Sequence, residues 1–511
     1  MMAVVLKKIL LLTGVAMVLA LDTMAQQKNY FETSPGIVEA YENIKMLKLD
    51  KAQHILDSLK VVEPHNMTVY HIENYIDFFR VFINEDYEEF VALEKNGKYR
   101  IKKIKSGDKN SPYYRFALAE VKLQWALSRS KFEEFFKAIR EINSALSLLT
   151  ENKKLFPGFA LNNKSLSVIH AYLGTLTGFK ARLLRFLSSN YKGTIQQGAE
   201  EIKTLMDYCD DNYCLFKDEV YTIASYIAYF LENDKNKAWE IIEKADLDTQ
   251  NSPLACFVVA GMAQKTGKND YAIEILLNKP ESNDRLPFYY LDYMLGKSKL
   301  YRMDSDALSY LNKFVNNFSG INYIKDAYLK IAWYHYLFDE DKKGYKANIK
   351  KCISYGYKLI DEDKSAYKEA RKRKAPDYAL LKARLLFDGA YYKKALHYLL
   401  QYRDKYKNAA KPEYLEYQYR MGRILQMLNE DEAADYFLKT IEKGKKTKYY
   451  FACNAALQLG TIYEAKGRFS EAEKYYNLCL DLNPEEYKNS LHQRAVAGLE
   501  RIKQKTNTDD E

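Results

Sequence analysis

Apolar residues recur along most of this chain at intervals of three and four positions, with charged residues between them. Two successive stretches show it, first Phe116, Ala119 and Leu123, then Phe132 and Phe136. This period is that of an amphipathic α-helix. No sustained alternation of apolar and polar residues lies between turn signals, so no β-sheet is predicted. The pattern predicts an all-α protein.

The helical pattern is itself repeated, most clearly over residues 453–486. Small residues, aromatic residues and a proline mark this unit, at Gly460, Tyr463, Ala472, Tyr476 and Pro484. Small residues let two helices cross closely, aromatic rings fill the space between them, and a proline ends the second helix. We therefore interpret the unit as a pair of antiparallel helices.

Similar spacings occur elsewhere in the chain. Pairs of small residues 11 or 12 positions apart mark four further units: Gly261 with Ala272, Gly296 with Ala307, Ala383 with Ala395, and Gly422 with Ala434. This pattern resembles the tetratricopeptide repeat, a helix pair with small, aromatic and proline residues at these offsets. The resemblance covers most of residues 220–490. It implies a right-handed superhelical solenoid of antiparallel helix pairs.

Three other segments complete the predicted organisation. Residues 1–25 have a positive start, a short apolar run and small residues at the end, which is typical of a secretory signal peptide cleaved after Ala25. Residues 26–219 keep the helical period but lose the repeat signature, so we interpret them as divergent helix pairs. Residues 491–511 are predicted to be the end of the last helix and a polar tail.

The signal peptide predicts an exported protein, periplasmic or secreted, although an uncleaved membrane anchor is an alternative. The most apolar later segment, residues 165–187, contains His170, Lys180, Arg182 and Arg185, which a bilayer core would penalise. No membrane span is therefore predicted after removal of the signal. The net charge of +10 is a mild excess for 511 residues. It allows weak attraction to acidic surfaces and does not indicate nucleic-acid binding.

Common catalytic motifs are missing from the sequence. No histidine lies at zinc-site spacing from a second ligand, and there is no Gly-x-Ser-x-Gly motif. The Gly-Lys pairs at Gly267 and Gly296 lack the earlier glycine of a phosphate-binding loop. We therefore predict a protein without catalytic activity, cofactor or metal.

Six cysteines leave two disulfides open. Cys209 and Cys214 lie close together near a predicted helix end, where a small loop could close. Cys453 and Cys479 lie near neighbouring ends of two antiparallel helices, which makes a bond between them geometrically possible. A buried free thiol at Cys479 is the alternative.

The resemblance also indicates where a ligand would bind. In tetratricopeptide arrays the residue after the small residue at each crossing faces the concave groove, and here these residues are Met262, Lys297, Trp333, Arg384, Arg423 and Thr461. We predict Lys297, Trp333, Arg384 and Arg423 to be the partner-binding residues. Since arginine can hold a carboxylate with two hydrogen bonds, an acidic or C-terminal segment of a protein is the predicted ligand. Ordinary exposed basic residues are the alternative.

Two classes of function remain. The first is a non-enzymatic interaction scaffold in the cell envelope, with a protein or peptide in the concave groove. The family's carboxylate clamp is missing, because Tyr293, Leu380 and Tyr419 stand where it would need lysine, which counts against that ligand. The second class is a small-ligand carrier or enzyme that uses the glycine-containing region 158–206. The oligomeric state cannot be predicted.

Overall fold

The computed structural model describes residues 28–174 and 193–508 of the chain. These residues form 25 α-helices, and an isolated bridge between Tyr30 and Asn66 is the only β-type pairing among them. The predicted signal peptide lies outside the described residues. None of the described helices is long and apolar enough to cross a membrane.

The chain divides into two compact units. The first contains the chain up to Asn233 together with Asn251–Leu254 and Pro280–Pro287. The second contains Asp234–Gln250, Ala255–Lys279 and Phe288–Glu511. The change of unit therefore comes after Asn233, whereas the repeat signature in the sequence begins near residue 220.

Nine described helices belong to the first unit. They are α1 (Pro35–Lys45), α2 (Leu49–Val62), α3 (Thr68–Asn84), α4 (Tyr87–Ile104), α5 (Pro112–Lys131), α6 (Phe135–Leu155), α7 (Asn162–Gly174), α8 (Ile195–Asp211) and α9 (Lys217–Phe230). Consecutive helices pack as the pairs α1/α2, α3/α4, α5/α6 and α7/α8, and α9 packs against the last pair. Side-chain caps fix the first residues of several helices. At the start of α4, Asp86 accepts a hydrogen bond from the Glu89 amide. At the start of α5, Ser111, which precedes Pro112, accepts one from the Tyr113 amide.

The second unit contains the other sixteen described helices. They are α10 (Lys235–Ala245), α11 (Pro253–Thr266), α12 (Asn269–Leu277), α13 (Tyr290–Arg302), α14 (Ala307–Asn317), α15 (Ile324–Leu337), α16 (Lys342–Ser354), α17 (Asp361–Arg371), α18 (Tyr378–Asp388), α19 (Tyr392–Leu400), α20 (Arg403–Lys407), α21 (Lys411–Met427), α22 (Ala433–Gly444), α23 (Phe451–Ala465), α24 (Phe469–Asp481) and α25 (Lys488–Thr508). Packed pairs include α13/α14, α15/α16, α18/α19, α21/α22 and α23/α24. The all-α, tetratricopeptide-like arrangement of helix pairs is thus confirmed.

Small residues lie where the helices of a pair cross. A Cβ atom added to Gly296 would lie 2.8 Å from the Leu311 side chain, and one added to Gly460 would lie 2.6 Å from the Tyr476 ring. Both distances are shorter than a normal contact, so the second helix occupies the space that the missing side chain leaves. Among the predicted alanines, Ala272, Ala307, Ala395 and Ala472 are fully buried.

One repeat position differs from the prediction by a single residue. In the α21/α22 pair the buried alanine is Ala433, and Ala434 is only partly buried. The Phe437 ring fills the space beside Gly422. The gap from Gly422 to its packing alanine is therefore 11, as in the Gly261 and Gly296 units, because the turn before α22 is one residue shorter than expected.

The glycines of region 158–206 also serve a close helix crossing. A Cβ atom added to Gly198 would lie 2.4 Å from the Ser167 carbonyl oxygen, and one added to Gly193 would lie 2.7 Å from the Cα atom of His170. A Cβ atom added to Gly174 would lie 2.5 Å from the Ile195 amide nitrogen. These contacts bring the backbones of α7 and α8 together, which explains three of the glycines by packing. Gly178 lies outside the described residues.

A charged network lies inside the first unit. The Lys164 side chain, which is 2% exposed, places its Nζ atom 2.6 Å from Glu120 and 2.6 Å from Glu219. Its Nζ atom also donates to the Tyr75 hydroxyl at 3.0 Å and lies 4.4 Å from the centre of the Phe216 ring. The network therefore joins α3, α5, α7 and α9, four helices that are far apart in the sequence.

Candidate functional site

Four arginines of the second unit line one cavity of about 280 Å³. They come from three helices: Arg384 from α18, Arg420 and Arg423 from α21, and Arg494 from α25. Aromatic side chains form much of the remaining wall, namely Phe387, Tyr419, Tyr450 and Tyr487. Asp388 is the one acidic residue of the lining. The cavity is therefore suited to a ligand that carries negative charge.

The repeat itself explains why these arginines meet. Arg384 follows Ala383 and Arg423 follows Gly422, so the two occupy equivalent positions in successive helix pairs. Since α18 packs against α21, equivalent positions on these first helices become neighbours. Arg420 lies three residues before Arg423 and so shares its helical face. Arg494 is added by α25, which packs against α23 and α24.

Two of the arginines already have carboxylate partners. Arg384 lies 3.2 Å from Glu369 and 3.8 Å from Asp388, and its guanidinium lies 4.9 Å from the centre of the Trp333 ring. Burial lowers the pKa of Arg384, but the charges of Glu369 and Asp388 outweigh burial and leave this pKa raised. Arg420 donates from Nε to Glu416 at 2.8 Å. These pairs hold both side chains in place.

Arg423 differs from the other two. It donates from Nη1 to the Tyr419 hydroxyl at 3.2 Å and lies over the Phe387 ring at 5.0 Å. Its Nε atom is buried without a hydrogen-bond partner. Among the described residues no carboxylate pairs with Arg423. Arg423 is only partly buried, but a buried N–H with no acceptor and no counter-charge nearby is costly. An anionic ligand would therefore favour this side chain more than Arg384 or Arg420.

The structure places the other two predicted binding residues differently. Trp333 is only 2% exposed, so it offers little surface to a ligand. Its ring packs against the Arg384 guanidinium, and its Nε1 atom donates to Glu369 at 3.1 Å. Lys297 does not line the cavity. It lies on α13, over the Tyr293 ring at 5.3 Å, and its pKa is lowered to about 8, first by burial and then by the charge of Lys330.

Two arginines of the cavity were not among the residues predicted from the sequence. Arg420 could have been found from the sequence, because it lies one helical turn before the predicted residue Arg423 and so shares its face of the helix. Arg494 could not, because it lies in the segment 491–511 that we had predicted to be a helix end and tail. In the structure residues 491–508 belong to α25, and Leu491, Ala495 and Ile502 pack into the core.

A second cavity, of about 390 Å³, lies between α17 and residues 484–490. Its charged lining residues have both signs: Lys364, Lys368, Lys372 and Lys488 against Asp361, Glu369, Glu485 and Glu486. Lys372 and Glu486 also pair with each other at 3.2 Å. Because the charges balance, this cavity has no preference for an anion, and the arginine-lined cavity remains the stronger candidate.

The structure also describes the cysteines and the possible metal ligands. Cys209 and Cys214 form a disulfide, which is one of the two bonds that the sequence left possible. Cys453 and Cys479 are free thiols with their Sγ atoms 3.5 Å apart. Within the part of the chain that the structure describes, no group of three or more His, Cys, Asp or Glu side chains could hold a metal ion.

Comparison with known proteins gives fold-level likenesses only. No protein-family model and no curated protein matches the sequence. The crystal structure of the P58(IPK) TPR domain is similar over 85% of this chain and 99% of its own, with 13% identity and a TM-score of 0.22. The crystal structure of yeast Tom70 is similar over 91% of this chain and 87% of its own chain, with 15% identity and a TM-score of 0.23. The structure of a monomeric mutant of IFIT1 with Gppp-AAAA is similar over 86% of this chain and 79% of its own chain, with 14% identity and a TM-score of 0.28. Values this low transfer neither ligand nor partner to this chain.

Proposed function

We propose that this chain is a non-enzymatic interaction scaffold of the cell envelope, which holds an acidic segment of a partner protein in the arginine-lined cavity. The observation that supports this most directly is Arg423, a partly buried side chain whose Nε atom is buried without a hydrogen-bond partner and which pairs with no carboxylate among the described residues. A carboxylate from the partner would supply the missing acceptor. The neighbouring Arg420 and Arg494 would share the charge.

The aromatic wall suits a peptide better than a small ion. Tyr450 and Tyr487 each present a ring and a hydroxyl, which can pack against aliphatic stems and still accept or donate hydrogen bonds, whereas Tyr419 is only 5% exposed. Tyr450 lies edge-on to Tyr419 at 5.8 Å and to Tyr487 at 5.1 Å, so the rings support one another. The partner's acidic side chains would therefore meet the arginines, while their stems and backbone would contact the tyrosines.

Charge reversal in the cavity is expected to abolish most of this binding. The probe is a fluorescein-labelled peptide of alternating Glu and Ser, with a Gln-Ser peptide as the neutral reference, and binding is measured by fluorescence anisotropy. Arg384→Glu combined with Arg423→Glu should weaken the affinity for the Glu-Ser peptide by at least ~30-fold. Each introduced glutamate repels a peptide carboxylate that the original arginine would bind. Arg423→Gln alone should weaken the affinity by ~10-fold.

The matched control has the same change in net charge at exposed positions. Arg140→Glu combined with Arg403→Glu replaces two positive charges by two negative ones outside the cavity, and affinity should stay within about twofold in moderate salt. Far-UV circular dichroism checks that every variant remains helical. Equal losses in the two double variants would show unspecific charge attraction, and unchanged binding by the cavity variant would exclude this site.

The proposed location rests on the N-terminus and on one disulfide. Residues 1–25 have the layout of a signal peptide, and the Cys209–Cys214 bond is of a kind that persists outside the reducing cytosol. We expect the protein isolated from cell-envelope fractions to begin at Gln26, because cleavage should follow Ala25. N-terminal sequencing tests this. A protein that retains Met1 and fractionates with the cytosol would contradict export.

A further inference from the structure

Two free cysteines of the last helix pair lie in contact with each other. Cys453 belongs to the first turn of α23, and Cys479 belongs to the last turn of α24. Their Sγ atoms are 3.5 Å apart, and the Cys453 thiol also lies 3.4 Å from the Cys479 carbonyl oxygen. The two side chains are 1% and 0% exposed. They are therefore held together by the packing of two antiparallel helices.

From this geometry we infer a covalent site: Cys453 and Cys479 become joined by a disulfide that links α23 to α24. The bond requires the sulfur atoms to approach to about 2.0 Å, a movement of roughly 1.5 Å from their present distance. Side-chain rotation supplies a movement of this size without separating the helices. Nothing in this inference depends on the ligand of the arginine-lined cavity.

The bond needs an oxidant, and a disulfide of a small thiol such as oxidised glutathione supplies one. Either cysteine can react first; when Cys453 does, its thiolate attacks one sulfur of the oxidised glutathione. It forms a mixed disulfide and expels one glutathione thiolate, which takes up the proton that Cys453 released. Cys479, after losing its proton, attacks the Cys453 sulfur and expels the second glutathione. Two cysteine thiols and one oxidised glutathione thus become one protein disulfide and two reduced glutathiones.

Burial decides when this reaction can happen. Neither thiol is accessible in the folded helix pair, so an oxidant reaches them only before α23 and α24 pack or during a local opening. The bond should therefore form during folding and should be slow to form in folded, reduced protein.

The remaining cysteines provide built-in comparisons. Cys209 and Cys214 already form a disulfide. Cys256 and Cys352 are buried free thiols on other helices, and neither lies in contact with a second free cysteine within the described residues. The contact of two free thiols is therefore particular to the last helix pair.

This link would lie directly behind the arginine-lined cavity. Asn454, the residue after Cys453, donates to the Tyr419 hydroxyl at 2.6 Å, and the same hydroxyl accepts from Arg423. On the other side, the Cys479 sulfur lies 3.9 Å from the carbonyl oxygen of Leu491, a lining residue on α25. The disulfide would thus hold together the helices that carry this wall.

Refolding tests the inference directly. The full chain is reduced, unfolded and refolded in a buffer of reduced and oxidised glutathione, then digested without reduction and analysed by mass spectrometry. We expect a cross-linked peptide that contains Cys453 and Cys479 and is two hydrogens lighter than its two parts. Cys209–Cys214 is the positive control for oxidation, and Cys256 and Cys352 should stay alkylatable. If Cys209–Cys214 forms while Cys453 and Cys479 remain alkylatable, or pair with other cysteines, the inference is wrong.

Thermal stability gives a second readout. Oxidation should raise the Tm of the wild-type protein by ~5 °C more than it raises that of Cys479→Ala, because only the wild type gains the second link. Each protein is compared with its own reduced form, so the packing change caused by the alanine cancels. An equal gain in both proteins would mean that the added stability comes from Cys209–Cys214 alone.

Discussion

Replacing Lys164 with methionine is expected to lower the free energy of unfolding of the first unit by about 3–5 kcal/mol. Methionine keeps most of the volume but removes the one cation that lies 2.6 Å from both Glu120 and Glu219. The side chain of Glu120 is buried and would lose the counter-charge that offsets its removal from water. Breaking a buried ion pair from one side is costly for this reason. Equilibrium urea unfolding, followed by far-UV circular dichroism, measures the loss.

A nearby lysine provides the matched control. Lys122 lies on α5 and pairs with Glu141 at 2.7 Å, but both side chains are partly exposed. Lys122→Met should therefore cost about 1 kcal/mol or less. Adding Glu120→Gln and Glu219→Gln to Lys164→Met should recover much of the lost stability, because no unpaired charge then remains. Similar losses for Lys122→Met and Lys164→Met would show that burial of the network has no special effect.

Tyr476→Ala is expected to destabilise the second unit by about 3–5 kcal/mol. The Tyr476 ring is 0% exposed and fills the space that Gly460 and Gly498 leave between α23, α24 and α25. Its hydroxyl donates to Glu464 at 2.6 Å, which is a further contact that alanine removes. The variant leaves a cavity at the meeting point of three helices. The same urea-unfolding experiment measures its effect.

The other aromatic residue of the motif, Tyr463, serves as the comparison. Tyr463 is only partly buried and stacks on Tyr475, with ring centres 5.4 Å apart. Tyr463→Ala should cost about 1 kcal/mol. Tyr476→Phe, which keeps the ring and loses only the hydrogen bond, should also cost about 1 kcal/mol. A loss from Tyr463→Ala as large as that from Tyr476→Ala would contradict the role of Tyr476 as the central packing residue.

The repeat units could be predicted from local information. A helix pair needs small residues at its crossing and large ones beside it, and this requirement leaves a fixed spacing in the sequence. Ala472 and Tyr476 are fully buried in the structure, and the Tyr476 ring fills the space beside Gly460. Ala434 was placed one residue too late because the length of the turn before α22, which the motif does not constrain, decides whether position 433 or 434 faces the core.

The candidate site was only partly predictable for a related reason. Arg384 and Arg423 occupy equivalent repeat positions, so the sequence could pair them. Trp333 occupies such a position too, yet it is buried beneath Arg384, because α17 packs against α15 and supplies Glu369. The exposure of a repeat position thus depends on which extra helix covers it.

By itself the sequence determined the all-α class and the repeated helix pairs, because these depend on residues close together in the chain. Only the tertiary structure decided the arginine-lined cavity and the Lys164 network. The cavity needs α25 to bring Arg494 beside α21, and the network needs α5, α7 and α9 to meet around one lysine. Both combine side chains from distant helices, and their contact depends on how helix pairs stack, which no local spacing records.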